Sequence, residues 1–304
     1  MSRSLDRLAL LETFVRIADA GSISAAARDL GLSQPSVSRQ LADLESRLKT
    51  QLMRRSTHSL AVTDAGAELL ADAREILDGW EALTEKHLSA QTEIRGKLKV
   101  VAPVALGQEL LMHVACEFQE EHPRVDLTWE LEDHPIRFAE TGCDCWIKVG
   151  PVPDDTLVVR RVGRVERLLV ASRQFVKKHR KVDTPKQAEQ LPLVALDPYE
   201  GGRVPLFQGR RSTAISPSVR MQTNNIFALR EAVRSGIGMA ILPTWFIADE
   251  LKKGTLVDML PGWNAPSLDI HIAYLPGRHP PLRLRAFLSL VERSIPQLAG
   301  IKAA

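Results

Sequence analysis

Ser22–Leu48 reads SISAAARDLGLSQPSVSRQLADLESRL, and this stretch decides the fold. Ser24 is placed to cap a helix that Ala25, Ala26 and Ala27 favour and that small side chains let pack closely. Leu30 closes its apolar face, and Gly31 stands where a chain leaving a helix needs positive φ. Leu32 plugs the turn. Ser33 caps the next helix, with Pro35 tolerated in its first turn. Val37, Leu41, Leu44 and Leu48 follow at steps of four, three and four, which predicts one buried stripe. The result is two short helices and a tight turn, with Gln34, Ser36, Ser38, Arg39 and Gln40 off the stripe.

A solvated helix pair is the plain alternative. A solvated face normally mixes Glu and Lys; here that mix (Asp43, Glu45, Arg47, Lys49) starts only further along. The opening face carries short hydroxyl and amide groups and one arginine. Gln and Arg pair bidentately with adenine and guanine edges, so the pattern points to a helix-turn-helix entering a DNA major groove.

Working outward, Leu52–Val62 reads as a two-stranded wing that contains Arg55 and His58. Thr63 is an N-cap for a long helix with Asp64 in its first turn. Along that helix Leu69, Ala73, Ile76, Trp80, Leu83, His87 and Ala90 alternate steps of four and three, an a/d seam of about three heptads. Nothing else in the N-terminal part is long enough to cover it, so the expected cover is the same helix of a second copy. From residue 97 the pattern changes to strands alternating with helices. Strands are expected at Leu98–Ala102, Val125–Leu131, Cys145–Val149, Arg167–Ala171, Leu193–Leu196, Val219–Thr223, Met239–Leu242 and Leu268–Tyr274. Helices fall near Gln108–Glu120, Ile136–Glu140, Pro185–Gln190, Ile226–Ser235 and Leu284–Val291. That alternation argues an α/β sheet with right-handed crossovers.

Composition sets bounds. A chain of 304 residues, 44% hydrophobic, holds more than one domain with real cores. A net charge of +3 excludes a basic nucleic-acid glue. Residues 1–63 hold nine Lys/Arg against six Asp/Glu, an excess that suits sequence-directed reading better than bulk electrostatic capture. No apolar run reaches the ~20 residues that span a bilayer, and the N-terminal MSRSLDRLALLETF lacks the pattern of a secretory signal. A cytoplasmic protein with no membrane partner is expected. Cys116, Cys143 and Cys145 fit a reducing compartment without disulfides. Cys143-x-Cys145 has no companion ligands at a recognised metal spacing; two strand residues at that spacing share one face, which suggests packing. The sequence has no G-x-S-x-G, P-loop or H-E-x-x-H motif and no carboxylate pair spaced for acid–base work. No catalytic residue, metal or cofactor is expected; a cytoplasmic enzyme with a DNA-binding appendage is the contrasting class.

Open α/β sheets bind ligands beyond the carboxyl ends of their strands. The candidates are Pro103, Val104, Glu132 and Lys148 from one set of strands and Asp197, Tyr199, Thr223 and Asn224 from the other. The helix beginning near Asn225 aims backbone N–H groups at that cleft, which suits an anion.

The segment Phe14–Ala65, with AGSISAAARDLGLSQPSVSRQLADLESRL, LMRR and TDAG, resembles the N-terminal domain of LysR-type transcriptional regulators. It departs from that pattern at Thr50, where the family usually has glycine, and at Met53, where it usually has phenylalanine. GKLKVVAP, EFQEEHPRVDLTWEL, CDCWIKVGPVPDDTLVVRRVG and VRSGIGMAILP more loosely resemble the family's effector-binding domain, a fold shared with periplasmic binding proteins. The resemblance implies an α/β protein overall: a winged helix-turn-helix over 1–63, a linker helix and hinge over 64–95, and a two-lobed domain over 96–304. Lobe 1 would comprise 96–163 and 267–304, and lobe 2 164–266. It implies double-stranded operator DNA met by Ser24, Ser33, Gln34, Pro35, Ser36, Ser38, Arg39, Arg55, His58 and Thr63, and self-association through Leu69, Ala73, Ile76, Trp80 and Leu83. Dimers that pair into tetramers, contact with RNA polymerase and a small-molecule effector, often a carboxylate, complete the implied picture. Some LysR-type proteins sense oxidants, so a switch at Cys143 and Cys145 is the alternative regulatory reading.

Overall fold

The computed structural model describes residues 6–55, 60–87, 94–179, 182–197, 202–276 and 280–303. Three helices open the chain: α1 (Arg7–Ala20), α2 (Ile23–Asp29) and α3 (Gln34–Leu48). The cap of α2 is Ser22, whose side chain accepts from Ala25 N. Ser24 therefore lies inside the helix, exposed, and is not the cap. Ser33 caps α3, and Gly31 takes φ 64°. The α3 stripe is shorter than its spacing suggests. Val37, Leu41 and Leu44 are buried, but Leu48 is 45% and Leu32 41% exposed, so neither completes the core. Gln40, off the stripe, turns inward to accept from the buried Thr13 hydroxyl of α1. The left-handed residue after α3 is Lys49 (φ 52°), so Thr50 needs no positive φ. Thr50 instead bonds back to the helix end through its N–H and hydroxyl.

The wing is an antiparallel pair, β1 (Met53–Arg55) with β2 (Leu60–Val62). Glu45 Oε1 ties it to α3 by accepting from Leu52 N and Met53 N. Thr63 then caps α4 (Asp64–His87) through Gly66 N and donates to Gln51 O. A Cβ on Gly66 would sit 2.2 Å from Leu52 O, so only glycine lets α4 start this close to the wing.

The remainder alternates strand and helix as far as lobe 2: β3 (Arg95–Ala102), α5 (Val104–Glu109), α6 (Leu111–Glu121), β4 (Arg124–Leu131), α7 (Phe138–Thr141), β5 (Cys145–Val149) and the long β6 (Val158–Ser172). Then come α8 (Arg173–Lys178), α9 (Pro185–Ala188), β7 (Leu193–Leu196), β8 (Val204–Gln208), β9 (Arg211–Ile215), β10 (Val219–Thr223) and α10 (Ile226–Arg234). The chain closes with β11 (Ala240–Pro243), α11 (Ala248–Lys253), β12 (Leu256–Asp258), β13 (Ala265–Tyr274), α12 (Leu282–Ser294) and β14 (Ile301–Lys302). The helix expected over Gln108–Glu120 is thus two, broken at Leu110, and the strand expected at Arg167–Ala171 is fifteen residues long.

One sheet runs β11-β6-β13-β5-β3-β4 through both lobes. The parallel partners of β3 are β4 and β5, while β13 pairs antiparallel with β5 and β6. The far end of β6 pairs with β11 and β12. Strands β6 and β13 therefore form the two passages between lobes. Phe118, Phe287 and the β3 and β5 residues Val100 and Ile147 fill the lobe 1 core; Phe175, Leu206 and Met239 fill that of lobe 2.

Candidate functional site

The N-terminal face of α3 is the first site. Gln34, Pro35 and Arg39 are exposed and Ser36 and Ser38 half-buried. Residues 34 and 38, and 35 and 39, are each one turn apart and so neighbours on the surface. Ser33 Oγ accepts from Ser36 N (3.3 Å) and lies 2.8 Å from Ser36 Oγ, so these hydroxyls are partly used in capping. Arg39 has no ion-pair partner among the described residues, whereas Arg47 on the same helix is held by Asp43 at 2.9 Å. The Arg39 guanidinium is therefore open to an external acceptor. Thr63 is committed to capping and to the wing. The Arg55 backbone lies in β1; its side chain and the whole of His58 fall outside the described residues.

Helix α4 divides its apolar residues between two surfaces. Leu70 and Ala73 are buried in the core of their own winged domain, and Leu69 and Leu77 pack against it. Ala73, fully covered, is thus corrected from a seam residue to a core residue. Ile76, Trp80 and Leu83, further along, are 50%, 52% and 47% exposed. Large apolar side chains in a row on one helix, left uncovered, are what a partner surface would take up.

The third site is a cleft of about 370 Å³ between the lobes. Pro103, Leu106, Asp133, Lys148 and Val149 line it from one side; Arg167, Asp197, Asn224, Ile226, Ile241, Pro243 and Trp245 from the other. Of the expected residues it gathers Pro103, Lys148, Asp197 and Asn224. Glu132 instead accepts from His134 N and lies 2.7 Å from its Nδ1, which holds its carboxyl below the usual range. Val104 donates its N–H to the lining residue Asp133 and does not itself line the cleft. Thr223 Oγ1 accepts from Asn225 N. None of these three is among the residues that line the cleft. Tyr199 lies outside the described residues. Of the N–H groups at the start of α10, those of Phe227 and Ala228 are already taken by Asn225 Oδ1.

Sequence reasoning passed over Asp133, Arg167 and Trp245. Lys148 Nζ donates to Asp133 O at 2.9 Å; burial lowers its pKa, opposed by the charges of Asp133 and Glu132. Arg167 Nε donates to Pro266 O at 2.7 Å, and burial lowers its pKa too. Asp197 accepts from Gln222 Nε2 at 2.6 Å.

Cys143 and Cys145 do not share a face. Cys143 packs with Val101, Phe138 and Trp146 on one side of the sheet, Cys145 with Val100 and Ile147 on the other. Cys143 precedes β5 and donates Sγ–H to Cys145 O (3.1 Å), so strand alternation does not govern it. Burial pushes the Cys143 thiol up to about 12 and Cys145 well above its ordinary value, the opposite of a reactive thiolate. Among the described residues no group of three His, Cys, Asp or Glu could hold a metal ion, and no helix is long and apolar enough to cross a membrane.

Comparison with known proteins agrees with this anatomy. Residues 8–67 match the family described as bacterial regulatory helix-turn-helix protein, lysR family, and residues 91–295 match the LysR substrate binding domain. The probable HTH-type transcriptional regulator LtrA of Klebsiella pneumoniae is 26% identical over 97% of each chain. The HTH-type transcriptional regulator PtxR of Pseudomonas aeruginosa is 28% identical over 97% of this chain and 96% of its own. In fold, a full-length OxyR point variant from Pseudomonas aeruginosa superposes with a TM-score of 0.74 at 17% identity, covering 98% of this chain and 97% of that one. With an N-terminal helix-turn-helix and a C-terminal effector-binding domain both matched, the chain belongs to the LysR family of transcriptional regulators.

Proposed function

We propose that this regulator reads a partly palindromic operator as a dimer and that a small carboxylate in the interlobe cleft sets how it does so. The observation that carries the reading is the α3 opening: Gln34, Pro35 and Arg39 exposed, Ser36 and Ser38 beside them, and Arg39 unneutralised. Gln34, Ser38 and Arg39 meet base edges; Ser33, Ser36 and Pro35 meet the backbone beside them. Arg55 and His58 of the wing reach phosphates or the minor groove. Ile76, Trp80 and Leu83 of α4 cover the same residues of a second copy, which places two α3 helices on one face of the duplex.

Ligand binding between the lobes changes their mutual packing, and so the spacing of the paired DNA-binding domains. Dimers pair into tetramers, and the assembly acts on RNA polymerase in the cytoplasm. The domain limits we assign are 1–63, 64–95 and 96–304, with the lobes exchanging near 163 and 267. Sequencing of DNA fragments selected by the purified protein at physiological salt tests the reading. A shared, partly symmetric motif is the expected result; fragments without a common site would contradict it.

A further inference from the structure

The charges that line the cleft are unequally matched. Lys148 is partly answered within its own lobe: its ammonium donates to Asp133 O, and the charges of Asp133 and Glu132 act on it, although among the described residues neither carboxylate is within ion-pair distance. Asp133 is in turn fixed by Val104 N at 2.9 Å, and Asp197 by Gln222 Nε2. Arg167 has no such answer. It sits on β6 where that strand passes between the lobes, in register with Pro243 and Ala265. Its Nε is spent on Pro266 O, and among the described residues no carboxylate lies within ion-pair distance of its guanidinium. Burial alone shifts its pKa, and it shifts it downward; a nearby acid would oppose that shift. A half-buried guanidinium without a counter-ion is costly to keep, and its planar fork matches a carboxylate.

The walls around it are apolar: Leu106, Val165, Ile226, Ile241, Trp245 and Leu268. The volume suits a compact organic molecule, at the lower end of ordinary ligand sites. From this arrangement we infer that Arg167 is the anion-recognising residue of the cleft, and that its ligand is a singly charged acid with a compact apolar body. A second negative charge would meet the carboxylates of Asp133 and Asp197, which line the same cleft. The inference rests on the effector-cleft reading above and adds to it the gripping residue, the single charge and the apolar remainder.

Thermal melts of the full-length protein test it with four defined probes at millimolar concentration: phenylacetate, phenylacetamide, 4-methylpentanoate and phenylmalonate. Both monoacids raise the melting temperature, while the neutral amide and the diacid raise it far less. In R167M the dissociation constants of the monoacids rise about tenfold or more, the change expected when one charge-assisted pair is lost, and the amide is unaffected. R167K recovers part of the loss. K148M retains the preference for monoacids. R167M keeps the stem but loses the bond to Pro266 O, so each variant is compared with its own melt without probe.

Equal effects of acid and amide, or an R167M protein that still prefers monoacids, would overturn the Arg167 assignment and leave the effector cleft standing. Preference for phenylmalonate would overturn the single charge. No effect of any probe, with operator binding intact, would remove both the assignment and the carboxylate reading of the cleft.

Discussion

Arg74 Nη2 on the linker helix lies 2.6 Å from Asp19 Oδ1 on α1. Four residues on, Asp78 meets Arg283 of α12 at 3.3 Å, and Arg283 Nε donates to Lys97 O at 2.7 Å. One turn of α4 thus touches the winged domain on one side and lobe 1 on the other. Asp144, the residue before β5, is half-buried, feels the charges of Arg283 and Arg74, and is fixed by Lys99 N at 2.7 Å. This is the ground on which the two halves of the chain meet.

Asp144 gives that junction a pH dependence of definite sign. Burial raises its pKa in the folded protein, partly offset by the Lys99 N–H and by Arg283 and Arg74. The native state therefore holds a proton that the unfolded chain has released, across the window from the ordinary aspartate value up to the raised one. Stability from this group falls as pH rises through that window and is regained on acidification. Asp144→Asn, which can still accept from Lys99 N, removes the dependence. Melts at pH 7 and pH 5 check it: acidification favours the parent relative to the variant. An identical pH response of the two proteins counts against the assignment.

On the DNA face, Arg39→Ala weakens specific binding by about 1–3 kcal/mol, the worth of a good bidentate base contact. Stability is untouched, since Arg39 is exposed and without an ion-pair partner among the described residues. Gel-shift titration on a selected fragment measures it, with circular dichroism melts as the control. Unchanged affinity removes Arg39 from the interface.

The two surfaces of α4 separate by mutation. Ile76→Glu abolishes the dimer and leaves the winged domain folded, because Ile76 is half exposed. Ala73→Leu does the reverse: overpacking a fully buried site costs about 1–3 kcal/mol of stability. Light scattering and thermal melts read the two outcomes, and a dimeric Ile76→Glu protein refutes the seam.

Native thiol labelling at pH 8 modifies Cys116, which is exposed, and leaves Cys143 and Cys145 unmodified. At that pH a buried thiol held up to about 12 is protonated and covered. Cys143→Ser is accordingly expected to leave operator binding insensitive to peroxide, as in the parent. Rapid labelling of either buried cysteine revives the oxidant-sensing alternative.

The helix-turn-helix is legible in sequence because local rules fix it: Ser33 caps, Gly31 turns, and Val37, Leu41 and Leu44 face inward. What eludes a linear reading is where tertiary cover stops. Leu48 keeps the spacing of the stripe but runs past the helices that would bury it, and Ala73 keeps the spacing of a seam while facing its own domain. Ser22 and Ser24 are equally good caps, and the choice between them follows from Ile23, which is buried.

In the cleft, strand ends point to Pro103, Lys148, Asp197 and Asn224 and miss Arg167. Nothing local marks one arginine in a strand rich in them; its value arises from where β6 crosses between lobes. The hairpin of β8 and β9 escapes as well. No strand is expected between Leu196 and Val219, yet Val204–Gln208 pairs with Arg211–Ile215 and Gly209, at φ 58°, makes the turn.

Hydroxyl-radical footprinting of the full-length protein on a selected fragment tests the central claim most directly, that two α3 faces read DNA together. Two matching protected patches on one face of the duplex, about one helical turn or a multiple apart, and lost together with Arg39→Ala, are the expected result. A single patch without a symmetric mate, or protection that survives in Arg39→Ala, would contradict it.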